Sequence, residues 1–298
     1  MGLPPSSGET LARSLMPIAP DLSALKRRLD RYFWANRSAE MTLLNQLLTA
    51  HFGTFDRVAV IGGLVRDFAR EGRAGFRSDV DLVIDASAGR VAEVAKKLGA
   101  APNRFGGYGF RGGPWRIDFW ALETTWAARH AGVPVVRLDD VIRCTFFDWD
   151  AIAYDLQAKR LICSQDYLDR IRRGALDINL RPTPSPEGNL LRSMRRLVLW
   201  RLYPGPALRS FIEEHLDELT FRAIQIKECQ IYPSSVTSIW KNAEAARQEL
   251  LEDGQRRYLH RQFKLDVPVY PVNLATPIFG RNRKTEMSPS QALRLPGL

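Results

Sequence analysis

The sequence predicts an α+β fold, in which a mixed β-sheet flanked by helices is followed by a smaller helical domain. Two observations support this prediction. In the amino half, short apolar runs of strand character alternate with segments whose apolar residues recur at helical spacing. From about residue 185, the helical spacing continues without further strand-like runs. The chain has 298 residues, of which 45% are hydrophobic, and this is enough to bury a sizeable core.

A Pro-rich segment, PTPSPEGN, marks the expected boundary between the two domains. The first 20 residues are rich in Pro, Ser and Gly, which predicts a terminal arm. The predicted division is an N-terminal arm over 1–20, the sheet-containing domain over 21–184, the helical domain over 185–267 and an irregular basic tail over 268–298.

The first elements follow from caps and periodicity. Asp21 is a candidate N-cap, and apolar residues recur at helical spacing from there to about residue 51, which predicts two helices. The run RVAVI at 57–61 ends at a Gly pair, 62–63, as a buried strand does when it enters a tight turn. Helical spacing resumes over 64–71.

The next elements alternate between the two types. The run SDVDLVID at 78–85 alternates acidic and apolar residues, which predicts a strand with one acidic and one apolar face. Residues 88–99 predict a helix that stops at a Gly. A hairpin is expected to turn at the Gly pair 112–113 and to continue into the strand WRIDFWAL. Short strands are expected at 135–138 and 152–156.

The charge balance favours a polyanionic partner. The chain carries 43 Lys and Arg against 33 Asp and Glu, a net charge of +10, and Arg far outnumbers Lys. Arg presents a planar fork of donors that matches phosphate oxygens. Nucleic acid or a nucleoside triphosphate is therefore the expected partner, and a generally basic surface is the alternative.

Composition also argues against several protein classes. The three cysteines lie far apart without a CxxC pair, which argues against a disulfide framework and a structural zinc site. No stretch approaches the roughly 18 apolar residues of a membrane span, and the amino end lacks the features of a secretory signal. We therefore expect a cytoplasmic protein without a membrane partner.

Two carboxylates on one strand predict a cation site. Asp79 and Asp81 are separated by one residue, so they project from the same strand face about 7 Å apart and can converge on divalent cations. Asp118, in the second strand of the hairpin, is placed to add a third carboxylate if that strand lies beside SDVDLVID. Gly62 and Gly63 would let backbone N–H groups approach a triphosphate closely. Phosphoryl transfer requires this combination of features.

These motifs resemble a known family. The run GGLVRD at 62–67, followed by SDVDLVID, resembles the nucleotidyltransferase head domain of the polynucleotide adenylyltransferases and CCA-adding enzymes of the DNA polymerase β superfamily. The resemblance implies catalysis by two Mg²⁺ ions, with Mn²⁺ as a possible substitute, and release of pyrophosphate. It assigns the metals to Asp79, Asp81 and Asp118. It assigns the nucleotide, ATP or CTP, to the Gly pair and to Arg66 and Asp67.

The chain departs from the family where the sugar is recognised. The segment FDWDAIAYD is similar to the family's segment at that point, but where the family reads RRDFTIN this chain reads CTFFDWD. Asp148 and Asp150 therefore replace Thr and Asn. We expect Asp150 to contact the nucleotide and Arg143, in a shifted register, to supply the missing cation.

A second departure lies on the predicted neck helix. LLRSMRRLVLW resembles the family's RILRALRF helix, with Arg192 and Arg195 matching and expected to contact the nucleotide. The family's EDxxR signature, which pairs with the incoming base in CCA-adding enzymes, is not preserved, since SPEGNLLR offers only Glu187 and Arg192 at altered spacing. The reaction is therefore better defined by the sequence than the nucleotide.

Three functions remain open. The first is transfer of a nucleotide to the 3′ end of tRNA or another small RNA. The second is the same chemistry on a protein or small-molecule acceptor, as in a toxin or modifying enzyme. The third is a noncatalytic RNA- or nucleotide-binding module, and retention of both Asp79 and Asp81 counts against it because close carboxylates repel each other without metal.

Overall fold

The computed structural model describes residues 18–72 and 79–251. Most of the predicted N-terminal arm, the last part of the predicted helical domain and the predicted basic tail lie outside the described residues.

The sheet combines antiparallel and parallel pairs, so the predicted α+β fold is confirmed. Its strands run in the order β3-β4-β5-β2-β1-β6-β7. Every neighbouring pair is antiparallel except β2 and β5, which run parallel. The strands are Val58–Ile61 (β1), Val80–Ile84 (β2), Ala101–Pro102 (β3), Tyr108–Gly112 (β4), Trp115–Ala121 (β5), Ala153–Asp155 (β6) and Arg160–Ile162 (β7).

Helices flank the sheet and then form a second body after it. Those of the first part are Leu22–Asp30 (α1), Ala39–Phe52 (α2), Gly63–Glu71 (α3), Ala88–Leu98 (α4), Trp126–His130 (α5) and Tyr167–Arg173 (α6). Those that follow are Pro186–Leu199 (α7), Pro206–His215 (α8), Glu218–Ile231 (α9) and Ala243–Leu251 (α10). Two short parallel strands, Ala175–Leu176 (β8) and Tyr203–Pro204 (β9), join the two parts. None of the helices in the described ranges is long and apolar enough to cross a membrane.

Local sequence accounts for where several of these helices begin and end. The Asp21 side chain accepts a hydrogen bond from the backbone N–H of Ala24, which caps α1 as predicted. Ser87 caps α4, and Gly99 ends it in the left-handed conformation with φ 61°.

The strand expected at 135–138 is absent. Residues Leu138–Cys144 form a 3-10 helix instead. The physical reason is local, because the Asp140 carboxylate accepts hydrogen bonds from the backbone N–H groups of Val136 and Arg137 and so turns the chain where a strand would extend it.

The two faces of the sheet have different roles. One face carries Val58, Val60 and Leu82 into the main core beneath α1 to α4. On the other face, Ala59 and Val83 pack in a smaller apolar cluster. The 3-10 segment Leu138–Cys144 covers that cluster, but it leaves the Asp81 end of the face open. The face of β2 that was predicted to be acidic is therefore acidic at one end and apolar at the other.

Candidate active site

Three carboxylates meet at the open end of this second face. Asp79 precedes β2, Asp81 lies within it, and Asp118 lies directly opposite Asp81 in the parallel pair of β2 and β5. Asp118 is 6% exposed. The predicted pairing of WRIDFW beside SDVDLVID is therefore what the structure contains.

A glycine on the neighbouring strand makes room for one of these groups. Gly109 of β4 pairs with Asp118, and a Cβ at this position would come within 2.2 Å of Asp118 Oδ1. Any larger side chain would have to push the Asp118 carboxylate aside. Sequence reasoning missed this glycine, although its place in the run RFGGYGF, opposite the predicted acidic strand, was the available signal.

The charges of the cluster are only partly compensated. Burial raises the pKa of Asp81 well above its ordinary value, and the nearby charges of Asp118 and Asp79 raise it further. Burial also raises the pKa of Asp79 and that of Asp118, and the guanidinium of Arg116 opposes the rise in both. The cluster is thus an electronegative site in which an added cation would stabilise the ionised form.

The three carboxylates are suitable ligands for a hard divalent cation, although their side chains are not arranged closely enough to coordinate one. Carboxylate oxygens are the ligands that Mg²⁺ prefers. In the described ranges, however, no set of three or more His, Cys, Asp or Glu side chains is gathered closely enough to hold a metal ion. Instead, Arg116 Nε lies 3.5 Å from Asp79 Oδ2 and 3.2 Å from Asp118 Oδ2.

The start of α3 faces the same space as the carboxylates. Gly62 is the N-cap with φ 64° and ψ −119°, a conformation that side-chain-bearing residues rarely adopt, and no side chain caps the helix. The first turn of a helix has N–H groups without acceptors inside the helix and carries the positive end of the helix dipole. Gly62 and Gly63 both line the cavity, so this end of α3 is suited to phosphate oxygens.

A largely buried carboxylate, that of Asp150, joins α3 to α7. Arg66 Nη1 donates to Asp150 Oδ1 at 2.5 Å, and Arg196 Nη1 donates to Asp150 Oδ2 at 2.8 Å. Arg66 also donates to Asp67, which lies buried behind it. The guanidinium of Arg196 rests over the Phe147 ring, 4.3 Å from its centroid.

The guanidinium groups of α7 exceed the negative charge available to them. Burial lowers the pKa of Arg196 to about 10 despite the opposing charge of Asp150. Burial also lowers the pKa of Arg192. By contrast, the pKa of Arg66 is raised, because its two carboxylate partners together outweigh the cost of burial. Arg192 and Arg196 therefore favour an anionic ligand.

Arg195 is held differently from its neighbours on α7. It forms an ion pair with the fully buried Glu228 of α9, and its guanidinium stacks 3.7 Å from the centroid of the Tyr232 ring. Glu228 also accepts hydrogen bonds from the backbone N–H groups of Val236 and Thr237. This pair fixes α7 against α9, and no local sequence pattern indicates it, because the two residues are 33 positions apart.

One cavity of about 430 Å³ unites these features, a size typical of small-ligand sites. Nine of the residues predicted from the sequence line it: Gly62, Gly63, Arg66, Asp79, Asp81, Asp118, Asp150, Arg192 and Arg195. Asp67 and Arg143 do not line it. Arg143 instead donates to the carbonyl of Pro134 and pairs with Asp140, so the expectation that it supplies the missing cation is wrong. Arg196 and Arg66 are the cations that contact Asp150.

The aromatic residues of the hairpin divide into two groups. Phe105 and Trp120 line the cavity, and the guanidinium of Arg104 lies over the Phe105 ring, 4.8 Å from its centroid. Tyr108 and Phe110 pack on Phe119 and belong to the core.

Glu123, an acidic residue that follows β5 closely, is engaged elsewhere. Its side chain accepts a hydrogen bond from the backbone N–H of Ala88. It does not line the cavity.

Comparison with known proteins identifies similarity in structure. No protein-family model matches the chain, and no curated protein matches it in sequence. A CCA-adding enzyme solved in complex with CTP is similar over 83% of this chain and 56% of its own length, with 19% identity and a TM-score of 0.50. A CCA-adding enzyme complex with ATP is similar over 78% of this chain and 55% of its own, with 21% identity and a TM-score of 0.49.

A tRNA nucleotidyltransferase complexed with a primer tRNA and an incoming ATP analog matches 62% of this chain, with 19% identity and a TM-score of 0.39. The chain spans about half the length of these structures. The first comparison shows that the chain shares the fold of the CCA-adding enzymes, as the motifs GGLVRD and SDVDLVID predicted.

Proposed function

We propose that the protein is a metal-dependent nucleotidyltransferase that transfers NMP from an NTP to an acceptor hydroxyl and releases pyrophosphate. The observation that carries the proposal is the composition of the single cavity described above. It contains three carboxylates on or beside two adjacent strands, a glycine-initiated helix start and arginines of α3 and α7. Each of these features meets one requirement of phosphoryl transfer.

The carboxylates have the catalytic role. Asp79, Asp81 and Asp118 would hold two Mg²⁺ ions, with Mn²⁺ as a substitute. Bound divalent cations neutralise phosphate charge and lower the pKa of an attacking hydroxyl. The start of α3 and the arginines of α7 would bind the triphosphate, and Arg66, held by Asp67 and Asp150, would keep the α3 end in position.

The neck side of the cavity would bind the rest of the nucleotide. Asp150 lines the cavity, as do the aromatic side chains of Phe105 and Trp120, and aromatic rings are suited to contact with a nucleobase. ATP and CTP are the favoured substrates. The similar CCA-adding enzyme was solved with CTP, which supports a nucleoside triphosphate here.

We favour the 3′ end of tRNA or another small RNA as the acceptor. The net charge of +10 and the shared fold support an RNA partner. A protein or small-molecule acceptor is the second candidate, because the base-pairing signature of the neck helix is altered. A noncatalytic role is less favoured, since it would leave three mutually repelling carboxylates without use.

The test is incorporation of each labelled NTP into total small RNA with Mg²⁺. The Asp81→Asn variant is expected to lose transfer by at least about a thousandfold while remaining folded. Asp85→Asn is the matched control, because Asp85 follows the same strand but does not line the cavity, and it should retain activity. Transfer that is unchanged in Asp81→Asn would exclude the assignment. Label that appears in protein and not in RNA would favour the second acceptor.

A further inference from the structure

Arg116 lies among the three carboxylates because of the sheet register. It is two residues before Asp118 on β5, so its side chain projects from the same face. The parallel pair of β2 and β5 aligns Val80 with Ile117, which brings Asp79 opposite Arg116 at the next position. The backbone register therefore places Arg116 beside both acids.

Arg116 is the cation that all three carboxylates share. Its Nε lies 3.2 Å from Asp118 Oδ2 and 3.5 Å from Asp79 Oδ2, and its positive charge lowers the pKa of Asp81 as well. Arg111, which pairs with Arg116 across β4 and β5, acts on Asp79 but is itself exposed. Arg192 of α7 also interacts electrostatically with Asp81, so Arg116 is the cation that contacts Asp79 and Asp118 but not the only positive charge that acts on the cluster.

We propose that Arg116 is an internal counter-ion that holds the acidic cluster together and competes with divalent cations for Asp79 and Asp118. The inference rests on the proposed function for the identity of the cation site. Since a metal ion would draw on the same Asp79 and Asp118 carboxylates that Arg116 contacts, metal binding would weaken or displace these contacts. Arg116 is in this sense a positioning residue that sets how tightly the free protein binds metal.

The first experiment measures Mn²⁺ binding by electron paramagnetic resonance without nucleotide. Removing a positive charge a few ångströms from a divalent ion should tighten binding roughly tenfold or more, even with strong solvent screening. Arg116→Gln should therefore bind Mn²⁺ at least about tenfold more tightly than wild type. Arg116→Lys keeps the charge and should stay near wild type, and Arg111→Gln is the matched control with a much smaller change. Equal or weaker binding by Arg116→Gln overturns the inference.

The second experiment needs no metal and no activity. In EDTA, Arg116→Gln should lower the melting temperature by several degrees, because the carboxylates lose their counter-ion. The same substitution made in an Asp79→Asn/Asp118→Asn background should have little effect, and an equal effect in both backgrounds overturns the inference. Should Arg116→Gln be unfolded in EDTA, Mn²⁺ must restore its fold, and failure of that rescue also overturns it.

These outcomes separate the two proposals. A wild-type protein that transfers no nucleotide, but shows the coupling in EDTA, refutes the proposed function and leaves the counter-ion intact. A protein that transfers nucleotide, but whose Mn²⁺ affinity does not respond to Arg116→Gln, refutes the counter-ion alone.

Discussion

The substitution Asp150→Asn tests the link between the sheet and the neck helix. The Asp150 carboxylate lies between Arg66 and Arg196, and the substitution keeps its shape while removing its charge. Burial would raise the pKa of Asp150, but the charges of Arg196 and Arg66 outweigh burial and lower it to about 2. The ionised form is therefore stabilised by the fold.

The size of the expected stability loss follows from the thermodynamic linkage between protonation of Asp150 and folding. A fall from the ordinary 3.8 to about 2 corresponds to about 2.5 kcal/mol of folded-state stability at neutral pH. Because the folded pKa is depressed, this stability is present above about pH 4 and is lost as the pH falls towards 2. The buried Arg196 would also lose its carboxylate, and orphaned buried charges cost about 3–5 kcal/mol. We expect Asp150→Asn to lower the free energy of unfolding by about 2.5–4 kcal/mol at pH 7.

Urea unfolding followed by circular dichroism measures this loss. Asp169→Asn is the matched control, because Asp169 forms an exposed ion pair with Arg172 that should contribute less than about 1 kcal/mol. The difference between wild type and Asp150→Asn should also shrink as the pH falls below 4. A loss no larger than that of the control, or one that does not change with pH, would refute the reasoning.

Three further substitutions test other parts of the site. Gly109→Ala should displace Asp118 and reduce nucleotide transfer at least about a hundredfold, whereas Gly89→Ala, with open space around it on α4, should leave activity intact and raise the melting temperature. Glu228→Gln should lower the free energy of unfolding by about 2–4 kcal/mol in urea, since it leaves the buried partner guanidinium uncompensated, and a loss under 1 kcal/mol would contradict the role given to that pair. Burial raises the pKa of Asp148 to about 6, so the free energy of unfolding of the wild type falls as the pH rises from 4 to 6. The free energy of unfolding of Asp148→Asn, measured relative to that of the wild type, should therefore be about 3 kcal/mol more favourable at pH 8 than at pH 4. Parallel plots of unfolding free energy against pH for the two proteins would exclude this.

The sequence was most informative where function depends on local patterns. The alternation of SDVDLVID and WRIDFWAL placed Asp81 and Asp118 on strand faces, and the Gly pair fixed the start of α3. The parallel pairing that aligns Asp81 with Asp118 is a long-range contact, so alternation alone could not establish it. The family resemblance supplied that step.

The sequence was least informative where a side chain finds its partner across the fold. Arg143 was expected near the nucleotide, but Asp140 and Pro134 hold it at the surface. Arg196 lines the cavity although the sequence analysis did not select it. Spacing on α7 was the available signal, because a residue four positions after Arg192 shares its helix face. Its carboxylate partner, 46 positions away, could not be identified from spacing.

The distribution of charge within the cavity gives the strongest argument about its ligand. The carboxylates that line the sheet side lie on β2 and β5, and most of the arginines lie on α3 and α7. A polyanion alone would be repelled by the sheet side, and a cation alone would be repelled by the helix side. A divalent cation bound to a triphosphate satisfies both sides at once, with the cation towards the carboxylates and the phosphates towards α3 and α7. Arg116 compensates the sheet side and Asp150 the helix side when no ligand is bound. Arg116, between Asp79 and Asp118, thus substitutes for the cation of the proposed ligand. Asp150, between Arg66 and Arg196, substitutes for its phosphates. This explains why the chain would retain both groups of ion pairs.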